Sequence, residues 1–341
     1  MRSEFTIPPV VDFCSLSGKN EDSCDVLHLK SVGTELVSAL KSTGFLYLKN
    51  TEVSRDEVVA LNRVAGDFFD EPTEFKNQFA IDRANGVFHG YMGHKLENLD
   101  PTNPSDLKEA FKMLPPCDLW PNNPNGLQFK QRTMNAYNKL HCIATKIMRA
   151  LAAGLDLETD FFTRHHQQIA QGDNLSSLKL LNYPELREIH MTGLKEGQLR
   201  AGEHTDFGTL SLLLSEDISG LQIKNKDGDY VSIAQPEDPS YILLFLGDLF
   251  QRWTNDYLFA GKHRVTFGKG EQMNIHERTD ATKDNDKRVC SRRQFIAFFV
   301  VPDHYSVVCP YMEPAKYKPV VALEYMQQSI TTIFPEILPQ K

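Results

Sequence analysis

The sequence predicts a mostly-β core, a sandwich, jelly roll or barrel, flanked by helices from both ends of the chain. Three observations carry this reading. From about residue 176 the apolar period is two, which sends alternate side chains to opposite faces of a strand. Short runs of this kind follow one another: Ser177–Tyr183, Thr209–Leu214, Leu221–Lys224, Tyr230–Ile233, Tyr241–Leu246, His263–Phe267, Arg293–Val300 and Ser306–Val308. Turn chemistry separates them, most clearly Asp227-Gly228, a hairpin signal.

Ahead of residue 176 the period is mainly helical. Residues 7–13, Ile-Pro-Pro-Val-Val-Asp-Phe, read as a short strand approached through prolines. Val32, Leu36 and Leu40 form one stripe of a helix over residues 31–42, stopped by Gly44, and Phe45–Leu48 reads as a strand. Ser54 caps a second helix, in which Val58, Leu61, Val64 and Phe68 recur at helical spacing. Residues 84–105, rich in Gly, Asn, Asp and Pro, read as a long loop. Leu114–Gly126 holds four prolines and reads as a wrapping connector. Tyr137, Leu140, Ala144, Ile147 and Leu151 mark a helix of several turns ended by Gly154, and a short helix is expected after Asp156. Ala322–Phe334 returns to helix.

Dividing 341 residues by a typical domain of about 150 suggests two domains. The organisation reads better as one catalytic unit: a helix-rich region over 1–175, a β-core over 176–310 and a helical tail over 311–341. A composition of 41% hydrophobic and 24% charged residues excludes a disordered chain. The net charge of −8, from 37 basic and 45 acidic residues, argues against broad nucleic-acid binding. It leaves room for an anionic small molecule held by one or two placed arginines. No apolar run reaches the roughly 20 residues of a membrane span, and neither end carries a signal core or address. Cys14, Cys24, Cys117, Cys142, Cys290 and Cys309 show no paired spacing and read as reduced thiols. The expectation is a soluble cytoplasmic protein with a small-molecule substrate and no nucleic-acid, membrane or obligate protein partner.

His204-Thr205-Asp206 lies just ahead of a strand. In an extended segment, residues i and i+2 share a face, about 7 Å apart at the backbone. An imidazole and a carboxylate therefore converge. His263, opening a later strand, is the best candidate for a third ligand. Two histidines and one carboxylate make the facial triad of a non-haem Fe(II), with open positions for O2 and an organic co-substrate. With 11 histidines and 45 acids in 341 residues, about 1.5 His-x-acid matches arise by chance, so spacing alone is a weak signal. A lone histidine such as His263 is more often structural than a ligand.

The surrounding sequence adds a set of ordered pieces. They are Ile-Pro-x-Val-Asp-Phe near the start, Gly44-Phe45-Leu46-Tyr47-Leu48-Lys49-Asn50, and Asp106-Leu107-Lys108-Glu109-Ala110-Phe111. Leu119-Trp120-Pro121, Leu181-Asn182-Tyr183-Pro184 and Glu203-His204-Thr205-Asp206-Phe207-Gly208-Thr209 follow. Gly247-Asp248, Trp253-Thr254-Asn255 and His263-Arg264-Val265 complete them. From Ile7 to about Pro310, the chain resembles the isopenicillin N synthase-like branch of the Fe(II)- and 2-oxoglutarate-dependent dioxygenases. The resemblance implies a double-stranded β-helix core with His204, Asp206 and His263 as iron ligands. It also implies 2-oxoglutarate as co-substrate, O2, and ascorbate as a candidate accessory. The expected reaction is hydroxylation or desaturation of a small metabolite with release of succinate and CO2.

In that family an Arg-x-Ser pair on a late strand holds the distal carboxylate of 2-oxoglutarate. Arg293 takes the arginine position, and Phe295 stands where the serine is expected. A guanidinium makes charge-assisted, often bidentate bonds to a carboxylate. Tyr183 aligns with a tyrosine that contacts the same group in some members. Arg293 and Tyr183 suffice on one reading, with loss of a hydroxyl costing about 1 kcal/mol. On the other, Phe295 narrows the pocket and the chain is an iron oxidase that does not use 2-oxoglutarate, like isopenicillin N synthase or aminocyclopropane-carboxylate oxidase. A silent binding protein on the same fold is a third reading, disfavoured by the intact ligand set. Among other residues, Asp248 reads as the cap of a short turn, and His165, His166 and His190 as surface groups. His89 and Tyr91 fall in the long loop. Trp120 and Trp253 read as core anchors.

Overall fold

The computed structural model describes residues 5–19, 24–82, 87–187, 194–195, 197–267 and 288–333. The early strands are β1 (Phe5–Thr6), β2 (Val10–Asp12), β3 (Phe45–Lys49), β4 (Gly90–Met92) and β5 (Glu109–Met113). Next come β6 (Ser177–Tyr183), β7 (Leu186–Arg187), β8 (Ala201–His204), β9 (Leu210–Leu214), β10 (Leu221–Lys224) and β11 (Tyr230–Ile233). The last are β12 (Ile242–Leu246), β13 (His263–Val265), β14 (Arg288–Cys290), β15 (Arg293–Val300), β16 (Val307–Val308) and β17 (Val320–Val321). The helices are α1 (Val26–Thr43), α2 (Arg55–Phe69), α3 (Thr73–Lys76), α4 (Pro124–Gly154), α5 (Asp248–Trp253) and α6 (Ala322–Ile333).

Thirteen strands form two sheets: an eight-stranded one in the order β2-β3-β12-β9-β15-β6-β5-β4, and a five-stranded one in the order β1-β11-β10-β13-β8. Their inner faces meet in a cluster that joins Phe45, Tyr183, Phe245 and Phe295 of the large sheet to Ala201, Ile223 and Val265 of the small one. The outer face of the large sheet packs on the helices. Leu46, Leu180, Leu212 and Phe298 share one core with Leu36 of α1, Leu61 of α2 and Ile143 of α4. The central strands of the large sheet are therefore covered on both faces, and Ile242–Leu246 is buried at all five positions. The result is a jelly-roll core, the double-stranded β-helix arrangement, with open sheet edges.

The helices begin and end for local reasons. Asp25 accepts a hydrogen bond from the Leu27 N–H ahead of α1, and the Gly44 N–H closes its end on the Leu40 carbonyl. Ser54 and Glu57 form a reciprocal capping box at α2.

Several expectations change. Residues 84–105 are not one loop: Gly90–Met92 pairs with β5, which itself pairs with β6, so the sheet extends into this stretch. Much of the connector Leu114–Gly126 stands as predicted, but α4 already starts at Pro124, with Asn123 as its cap. Proline is tolerated there because the first-turn N–H has no helical partner. Between Asp156 and β6 there is no α-helix, only a 3₁₀ turn at Thr163–His165. Neither β5 nor β8 is among the strands that periodicity predicts. His190 lies outside the described residues. Among these, no helix is long and apolar enough to cross a membrane. No disulfide joins any of the six cysteines.

Candidate active site

His263 pairs with His204 across antiparallel strands β13 and β8, and Val265 pairs with Ala201. The register slips by one residue between these pairs, which is a β-bulge. Strict alternation would turn Ala201 and His204 to opposite faces. The bulge turns both inward, so Ala201 packs in the inter-sheet cluster while His204 reaches His263, with ring centroids 4.3 Å apart. Asp206 lies beyond the end of β8, in the turn to β9, so its convergence with His204 comes from a strand end and a turn and not from an extended i, i+2 pair. The Asp248 N–H donates to the Asp206 carbonyl at 2.8 Å and holds that turn. His204, Asp206 and His263 each offer one ligand atom, all within 4.8 Å of one another, and His204 Nε2 lies 3.8 Å from Asp206 Oδ1.

The hydrogen bonds select the ring atoms. His204 Nδ1 lies 2.9 Å from the Gly202 carbonyl, and His263 Nδ1 lies 3.0 Å from the Gly261 carbonyl. A carbonyl only accepts, so each Nδ1 carries a proton and each Nε2 is the ring atom left to coordinate. Burial, reinforced by the neighbouring His263, holds His204 well below the usual histidine range. The ring is therefore neutral, as a metal ligand must be. Phe245 stacks on His263 at 4.7 Å and shields it from water. Two imidazole nitrogens and a buried carboxylate fit a hard-to-borderline divalent ion such as Fe(II).

Arg293 opens β15 directly opposite Tyr183 of β6 and is 3% exposed. Its Nη2 donates to the Thr266 carbonyl at 2.9 Å, and its Nη1 to Ser219 Oγ at 3.3 Å. The guanidinium lies so close to Gly220 that a Cβ there would come within 2.5 Å of Nη1. Glycine at 220 is therefore required by the arginine as well as by its own left-handed φ of +82°. Tyr183 and Phe295 meet edge to face at 5.6 Å. Burial pushes the Tyr183 phenol up, against the pull of the nearby Lys108, Arg200 and Arg293 cations. Phe295, 3% exposed, shares the inner face with Arg293, as period two requires.

Other residues depart from expectation. His166 is buried: its Nδ1 bonds the Phe162 carbonyl at 2.8 Å and its Nε2 meets Thr209 Oγ1 at 2.7 Å. His165 is half-buried against Trp253. Asp248 does not cap α5; Gly247 occupies that position, and the Asp248 carboxylate accepts from the Tyr325 hydroxyl at 3.2 Å. Tyr91 is buried in β4 and donates to Glu109 Oε2 at 2.7 Å. His89 is half-buried just ahead of β4. Trp120 and Trp253 are buried, as core anchors would be. Sequence reasoning overlooked the side chains of Asp106 and Lys108, which are buried beside the strand bearing His204. Their signal was an Asp-x-Lys-Glu run leading straight into apolar residues with no turn residue between.

Comparison with known proteins agrees with this geometry. Residues 176–301 match the model of the 2OG-Fe(II) oxygenase superfamily, and residues 8–138 that of the non-haem dioxygenase in morphine synthesis N-terminal region. The chain is 28% identical over 324 residues to the 2-oxoglutarate-Fe(II) type oxidoreductase ppzD of Metarhizium rileyi, covering 88% of this chain and 85% of that protein. It is 30% identical to validamycin A dioxygenase of Streptomyces hygroscopicus subsp. limoneus, covering 75% and 71%. In fold, it is similar to a full-length Neurospora crassa protein in complex with alpha-KG and thymine, at TM-score 0.77 and 24% identity, covering 97% and 98%. With its jelly-roll core and His-Asp-His cluster, the chain belongs to the 2OG-Fe(II) oxygenase superfamily, the oxidoreductases that use iron and 2-oxoglutarate.

Proposed function

We propose that His204, Asp206 and His263 hold the iron, that Arg293 and Tyr183 hold the distal carboxylate of 2-oxoglutarate, and that the enzyme hydroxylates or desaturates a small metabolite. The observation that carries the ligand set is the pair of Nδ1–H bonds, which leave both Nε2 atoms free beside the Asp206 carboxylate. When bound, iron and 2-oxoglutarate supply the oxidising chemistry, with succinate and CO2 as co-products.

The residues of the chain bind and orient. Asp206 offsets part of the metal charge. Arg293, backed by the Thr266 carbonyl and Ser219, presents its remaining N–H groups to a carboxylate beside the apolar inter-sheet cluster. Phe245 and Phe295 exclude water, which strengthens each electrostatic contact. The net charge of −8 makes Arg293 a specific anchor and not part of a basic surface. A relative named for validamycin A and a neighbour holding thymine favour a small molecule over a macromolecule. Six cysteines without a disulfide favour a reducing compartment such as the cytoplasm.

The test is a metabolite screen. The enzyme is incubated with Fe(II), 2-oxoglutarate and fractionated cell extract, and succinate is followed against H204A. Substrate-dependent succinate is expected from the wild type alone. Absence of succinate with every fraction, despite iron binding, would overturn the assignment of Arg293 and Tyr183 to 2-oxoglutarate.

A further inference from the structure

Four charged side chains lie together beside β8, outside the ligand set. Asp106, Lys108 and Glu97 are buried, and Lys179 is partly so. Lys108 Nζ lies 2.7 Å from Asp106 Oδ2 and 3.3 Å from Glu97 Oε2, while Lys179 Nζ lies 2.6 Å from Glu97 Oε1. Apolar replacement of such a cluster is often neutral or stabilising, so stability alone gives no reason for it.

The second oxygen of Asp106 supplies a reason. Asp106 Oδ1 accepts the Gly202 N–H at 2.9 Å. The Gly202 carbonyl in turn accepts His204 Nδ1–H at 2.9 Å. Gly202 lies within the bulged stretch of β8, where the two-to-one register disrupts the ladder. Its backbone is thus pinned on one side by a carboxylate and on the other by the imidazole it orients. No side chain could be added there, because a Cβ on Gly202 would come within 2.7 Å of Asp100 Cβ.

We propose that Asp106 is a positioning residue for the iron ligand His204, acting through Gly202, and that Lys108 and Glu97 keep its carboxylate aimed. This rests on His204 being a ligand, as argued above. Groups that orient a ligating histidine typically change metal affinity by about 10–100-fold when removed.

The test uses Co(II) alone as the probe, without 2-oxoglutarate or substrate, reading the dissociation constant and the d–d absorption. D106N is nearly isosteric, but its amide cannot accept from both the Gly202 N–H and the Lys108 ammonium. Co(II) binding should weaken about 10–100-fold and the d–d bands should shift. D106N/K108M removes the conflict: with no ammonium facing the amide, its oxygen is free to accept from the Gly202 N–H. Affinity and spectrum should return to within about threefold of wild type, whatever the melting temperature does. D106N binding as tightly as wild type, or the double variant binding no tighter than D106N, would overturn the proposal. Tight Co(II) binding by H204A would instead remove the ligand assignment, and this inference with it.

Discussion

His204 and His263 face each other across two antiparallel strands, and each points the same ring nitrogen at the carbonyl of the residue two positions earlier. This shared device fixes both rings before any metal arrives. H263A should therefore bind Fe(II) or Co(II) at least about 100-fold more weakly, while the metal-free protein keeps its fold. Anaerobic metal titration beside circular dichroism checks both halves; a variant that retains wild-type affinity would remove His263 from the ligand set.

Arg293 should govern the co-substrate and not the metal. A hydrogen bond between charged groups contributes about 1.5–3 kcal/mol, so R293M should raise the KM for 2-oxoglutarate about 10–100-fold. Co(II) affinity without 2-oxoglutarate should stay at the wild-type value. Steady-state succinate formation and a metal titration separate the two effects, and an unchanged KM would exclude the assigned role.

Phe295 sets packing against binding. F295S would restore a hydroxyl worth about 1 kcal/mol to a carboxylate ligand. Truncating a buried phenylalanine costs about 3–5 kcal/mol. Since Phe295 packs edge to face on Tyr183 inside the inter-sheet cluster, the packing loss should win, and the variant should melt well below wild type. Differential scanning fluorimetry with and without 2-oxoglutarate reads both quantities; an unchanged melting temperature would mean that this ring carries little of the packing.

His166 is a pH lever on stability. Burial pushes it down to about 3, while the unfolded chain titrates near 6.5. Between these values the unfolded state binds a proton that the folded state refuses, so stability falls as pH falls. The expected slope is up to about 1.4 kcal/mol per pH unit from this group, and H166Q should lose that share. Urea denaturation of the metal-free protein between about pH 4.5 and about pH 6.5 measures it. Parallel curves for the two proteins would contradict the assignment.

Lys76 and Glu109 form a buried pair at 2.8 Å, and Glu109 also accepts from Tyr91 and Asn182. K76M leaves that carboxylate without its cation and should cost about 3–5 kcal/mol. K76M/E109Q should recover most of it, because the buried carboxylate charge is gone as well. Denaturant midpoints of the four proteins in the cycle test this, and equal stability of K76M and wild type would refute it.

How much of this was legible follows from where each partner lies. The spans of β6, β10, β11 and β15 could be read to the residue, since apolar runs bounded by turns announce themselves locally. His204, Asp206 and His263 stood out through their neighbours in sequence. The burial of His166 depends on Thr209, 43 positions away, and that of Lys108 on Glu97 and a fold that seals both from water. From sequence, such charges look like a solvated surface. The bulge at Gly202 was invisible for a different reason: period-two counting assumes an unbroken ladder, and here the break is what aims His204 inward.

The place of β15 in the large sheet has a consequence for how the molecule is made. β9 and β6 each pair with β15, so among the described residues the strands from β2 to β9 and those from β6 to β4 are hydrogen-bonded into one sheet through residues 293–300. A ribosome that has released about 290 residues has exported two half-sheets with facing raw edges, and such edges invite mispairing. The strand that seals this seam also brings Arg293. During synthesis, closure of the sheet and arrival of the arginine are therefore one event, because both wait on the same strand.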